Sequence, residues 1–111
     1  PPEMPNYPDL DLKEITRIMK ADKKEDILFL LETAYNNLKD ILDKKTKKKQ
    51  FDGEMIEELG TFQDELWFIA QNPDMPTKIK EIIEKFLDQI EEQRQKEIKM
   101  MSDQLPIYKA F

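Results

Sequence analysis

Histidine and cysteine are absent from this 111-residue sequence, glycine occurs twice, and the one serine is Ser102. No imidazole is present to act as a general base, no thiolate to attack an electrophile, and no nitrogen or sulfur ligand for zinc. Two glycines cannot build a phosphate-cradling loop, and no acidic run surrounds a glycine turn as calcium loops require. Disulfides are excluded as a source of stability. Long apolar runs are missing as well: Ile27–Leu31 and Leu66–Ala70 are five residues each, against the roughly 20 that cross a bilayer. The first residues lack the basic and apolar regions of a secretory signal, so the expected location is intracellular and cytoplasmic. Neither catalysis, a metal nor a cofactor is expected.

What is present is charge. Acidic residues number 24 and basic residues 18, for a net charge of −6, and 39% of the chain is hydrophobic. One small acidic domain follows. Four of the seven prolines fall in residues 1–8 and mark residues 1–10 as an extended arm. Residues 11–104 carry helical periodicity, and residues 105–111 form an apolar tail after the helix is stopped by Pro106.

The spacing predicts four helices, over 11–20, 24–46, 52–71 and 77–104. Asp11 with Glu14 starts the first, and Asp22 with Glu25 repeats that signal for the second. Ile27, Leu28, Leu31, Ala34, Tyr35, Leu38, Ile41 and Leu42 then form one apolar stripe. Asp52 is the expected cap of the third helix, and Asp74 or Thr77 of the fourth. Gly60 falls inside the third helix, where glycine costs about 1 kcal/mol relative to alanine.

Short connections between long helices imply an all-α, antiparallel four-helix bundle with a short first helix and a long last one. Both apolar runs then lie at one end of the bundle, where the first helix, with the arm, is the expected cover. The lysine loop lies at the other end, where Glu91, Glu92 and Glu97 are positioned to face it.

Lys44, Lys45, Lys47, Lys48 and Lys49 form the densest basic cluster. As structure it ends the second helix on its negative pole; as a site it would contact phosphates or an acidic partner. The chain has two arginines, Arg17 and Arg94, and no aromatic is interleaved with the lysines, which counts against nucleic acid. From Gln50 to Thr77 there is no lysine or arginine, whereas Asp52, Glu54, Glu57, Glu58, Asp64, Glu65 and Asp74 sum to −7. Part of that charge complements a helix N-terminus. The rest offers a docking face for a protein with a basic surface. Trp67 and Phe68 point about 100° apart on a helix, so one narrow stripe cannot bury both. Either a neighbouring segment covers the second ring, or it anchors a partner. Leu105, Ile107, Tyr108 and Phe111 of the tail pose the same alternative. The arm's Pro2-x-x-Pro5 and Pro5-x-x-Pro8 have polyproline-ligand spacing without flanking basic residues.

A short first helix, a second helix reading Asp26-Ile-Leu28, Tyr35 and Leu38-Lys39, and a last helix with an aromatic-tipped tail resemble the small helical bacteriocin-immunity proteins. That resemblance implies an antiparallel four-helix bundle whose C-terminal segment sets specificity; the last helix is longer here than in that family. The function expected from the residues themselves is non-catalytic protein binding of adaptor or inhibitor type. Partner-binding residues would be Glu54, Glu57, Glu58, Asp64, Glu65, Trp67, Phe68 and the tail. The alternatives are an immunity-like protein acting through its C-terminal segment, a subunit that self-assembles as a homodimer, and a nucleic-acid binder using the lysine loop.

Overall fold

The computed structural model describes residues 10–46 and 53–104. Helix α1, Leu12–Ala21, starts where the Glu14 amide donates to Asp11 Oδ1 at 3.2 Å, as the sequence predicts. Its end is less expected. The Lys24 amide donates to the Met19 carbonyl and the Lys23 amide to that of Lys20, at 2.8 and 3.2 Å, the bond pair of a Schellman ending. Lys23 occupies its left-handed position at φ 57°, where a side chain costs roughly 1–2 kcal/mol. Asp22 therefore closes α1 instead of opening the second helix. Helix α2, Glu25–Thr46, begins on the Lys24 carbonyl, which accepts from the Ile27 and Leu28 amides.

Helix α3 runs Gly53–Ala70; its expected cap, Asp52, lies outside the described residues. An Asx turn follows, in which Asn72 Oδ1 accepts from the Asp74 amide and the Asn72 carbonyl from that of Met75, both at 2.9 Å. Helix α4, Thr77–Gln104, takes its first bonds on the Pro76 carbonyl. Pro76 thus holds the cap position that the sequence suggests for Asp74 or Thr77.

The protein is an all-α four-helix bundle with its shortest helix first and its longest last. Gly60 faces Arg94, Gln63 bonds Glu91, and Phe62 meets Phe86 edge-on at 6.3 Å between centroids. From Gly60 against Arg94 to Gln63 against Glu91 the numbers rise along α3 as they fall along α4, which makes the pair antiparallel. Ile27 and Leu30 share one cleft with Phe68 and Ile69, and Asn37 and Ile41 another with Glu57 and Glu58, so α2 and α3 are antiparallel too. Leu31, Leu38, Leu59, Leu66, Ile79, Ile83, Phe86 and Ile90 fill the centre. Tyr35 of α2 leans on Phe86 at 5.8 Å.

Ile15 and Met19 of α1 are fully buried. That helix packs on α2 and reaches α4 through Glu14, whose carboxylate lies 2.8 Å from Lys78 Nζ. Helix α1 does not cover both sides of the apolar runs, and Phe29, Leu30, Trp67 and Phe68 all stay exposed; residues 1–9 of the arm, the other expected cover, lie outside the described residues. At the far end of α4, Glu91 takes Gln63, Arg94 and Gln95 as partners, Glu92 is exposed, and Glu97 is only 2% exposed.

Candidate protein-docking groove

Helix α3 has two flanks. Gly60 and Gln63 look toward α4. Trp67, four residues past Gln63 and seven past Gly60, shares that flank by helical period and is 57% exposed. Glu54, Glu58, Thr61, Glu65 and Phe68 recur at alternating four- and three-residue steps, which puts them on one face turned toward α2. The adjacent rings therefore belong to different surfaces, and Trp67 lines neither cleft of the groove described next.

Between α2 and α3 runs a groove with two ends of different character. At the α3 C-terminal end, Leu30 and Phe68, 50% and 76% exposed, stand as lips over Ile27 and Ile69 around a cleft of about 370 Å³ that the Asn72–Pro73 turn closes. Asp64 and Glu65 border the same lips. Toward the α3 N-terminus, Asn37 and Ile41 of α2 face Glu57, Glu58, Thr61 and Glu65 of α3 around a second cleft of about 340 Å³. No lysine or arginine lines any of these clefts. Lys39, the α2 cation nearest in sequence, instead lies over the Tyr35 ring at 4.7 Å, on the side of α2 that meets Phe86.

The groove carboxylates are also unengaged. Among the described residues the ion pairs join Glu14 to Arg17 and Lys78, and Glu91 to Arg94; none draws on Glu57, Glu58, Asp64 or Glu65. The perturbed carboxyls are elsewhere. The Arg17 guanidinium, helped by Lys78, holds the Glu14 carboxyl down at about 2. The Gln63 amide and then Gln95 hold that of Glu91 below its ordinary value. Both shifts belong to contacts that hold the bundle together, and neither poises an acid or base in a cleft. Among the described residues no group of three or more carboxylates is arranged to hold a metal, and no helix is long and apolar enough to cross a membrane.

Of the residues singled out from sequence, Glu57, Glu58, Asp64, Glu65 and Phe68 converge on the groove. Glu54 is exposed one turn beyond it. Lys44 is exposed at the end of α2, and Lys45 lies in that helix. Lys47, Lys48, Lys49, Leu105, Ile107, Tyr108 and Phe111 lie outside the described residues. Sequence reasoning missed Leu30, although a signal exists: it falls off the stripe of Ile27, Leu31, Ala34 and Leu38 inside a five-residue apolar run.

No protein-family model matches the chain, and no curated protein or solved structure matches it.

Proposed function

We propose that this domain is a non-catalytic protein-binding module of adaptor or inhibitor type that engages its partner through the α2–α3 groove. The observation that carries the reading is the pair Leu30 and Phe68, two large apolar side chains held in water on facing helices and bordered by carboxylates without partners. Leaving such side chains exposed forgoes roughly 1.5–3 kcal/mol each, and clustered exposed apolar surface rimmed by polar groups marks interaction sites. The carboxylates steer a basic surface toward the groove, and Phe68 and Leu30 then hold it by desolvation.

The test places a photo-crosslinking phenylalanine analogue at position 68, and at position 39 as a control on the other side of α2, in native lysate. The expected result is a protein adduct from position 68 alone. Its association rate with the unmodified domain should fall about 10-fold between 50 and 300 mM salt while dissociation changes little. Equal crosslinking from both positions, or none from 68, refutes the reading.

A further inference from the structure

We infer that the occupant of the α2–α3 groove is a basic amphipathic helix of another protein, bound in one direction, with its apolar anchor at the Leu30–Phe68 end and its cations toward Glu58; this rests on the protein-binding reading above. The groove lies between two antiparallel helices, and its α3 wall repeats at four- and three-residue steps, the spacing at which helix surfaces interlock. Along that wall the chemistry changes from Phe68 through Glu65 and Thr61 to Glu58. Ten residues separate Phe68 from Glu58, about 15 Å of helix. A complementary helix carries an aromatic or leucine anchor, a Lys or Arg one turn along the same face, and another after about three turns. The reverse orientation would set cations against Leu30, Ile27 and Ile69, and leave two carboxylates facing apolar side chains.

Charge decides between occupants. A second copy meeting this face by twofold symmetry would bring Glu57, Glu58, Asp64 and Glu65 of both copies into one interface with no lining cation to offset them, and like charge gathered in this way opposes association. Residues 105–111 do not reach the anchor: Arg94 lies level with Gly60, so Gln104 and Phe68 are about 27 Å apart along the bundle axis, whereas those seven residues span at most about 25 Å fully extended. A basic partner has no such penalty, because no cation lines the clefts to repel it.

Three fluorescein-labelled 18-residue helical peptides test this against the full chain. One carries leucines at its first turn and lysines along the same face; in the second, glutamates replace the lysines; the third has the lysines moved to the opposite face. Anisotropy should show the first binding at least about 30-fold more tightly than the second and about 10-fold more tightly than the third. F68S should weaken the first about 10-fold and the E58Q/E65Q pair about 5-fold, in keeping with hot-spot and rim-charge contributions. Amide resonances of Leu30, Glu58, Glu65 and Phe68 should move while that of Lys39 stays. Equal binding of the first and second peptides overturns the charge assignment. Failure of all three overturns the inference; a crosslink from position 68 would still stand and keep the protein-binding reading, whereas its absence removes both. Binding seen only after deletion of residues 1–9 identifies the arm as occupant. A concentration-dependent doubling of mass abolished by F68S identifies a second copy. Either outcome overturns the proposal.

Discussion

The two flanks of α3 face helices of similar kind and are used in opposite ways. Toward α4, Phe62 closes on Phe86, Gln63 bonds Glu91, and Gly60 faces Arg94. Toward α2, the equivalent positions hold Glu58, Glu65 and Phe68, none of which is satisfied by the bundle itself. The first flank serves stability along most of its length, with Trp67 left exposed near its C-terminal end. The second keeps apolar and charged groups in water, which contributes nothing to folding and is the surface on which the proposed binding role rests.

The largest test of that contrast is Phe86→Ala. Phe86 is fully buried between Tyr35 and Phe62, and truncation should cost about 3–5 kcal/mol, read as a lower urea midpoint by far-ultraviolet circular dichroism. Gly60→Ala should act in the other direction. An added Cβ meets Arg94 Nε at 3.7 Å, an ordinary contact, so the helix gains about 0.5–1 kcal/mol; a loss would show that the α3–α4 approach requires glycine. Phe68→Ser should leave the midpoint within about 0.5 kcal/mol of the parent, because its ring is already in water. A cost comparable to that of Phe86→Ala would erase the distinction between the flanks.

The smallest effect concerns acid. The Glu14 carboxyl titrates near 2 when folded, against 4.5 for the free side chain, chiefly through the Arg17 hydrogen bond and then Lys78. A depressed folded value gives stability that is complete above about pH 4.5 and lost as pH falls toward 2. Glu14→Gln should flatten that part of the stability–pH curve by lowering the neutral plateau toward the acid value, and only slightly, since the pair is exposed to solvent screening.

Helix positions were legible because the apolar stripes of α2 and α4 keep a period of 3.6 over many turns, longer than chance patterns persist. Helix ends were less so. A Schellman ending normally announces itself by glycine; here Lys23 takes the left-handed position, and Asp22 and Glu25 read as a start signal instead. Pro76 caps α4 through its carbonyl, a group every residue has. The acidic half of the groove was visible as a charge run without cations. Leu30 was not, because its exposure depends on which side of α2 the first helix covers, and that is set by Ile15, Met19 and the Glu14–Lys78 contact across the bundle. That Trp67 and Phe68 diverge was legible from the roughly 100° between helix neighbours; that both rings stay exposed was not, because it depends on what packs beside each flank.

Trp67 has an optical consequence. It is the chain's one tryptophan, and it sits in water while the protein is folded. Its emission therefore begins close to the wavelength of the unfolded chain, and denaturation followed by tryptophan fluorescence has little spectral shift to report. The buried Tyr35 ring carries the near-ultraviolet signature of the core, whereas the indole remains dark to unfolding and responsive to whatever settles beside the end of α3.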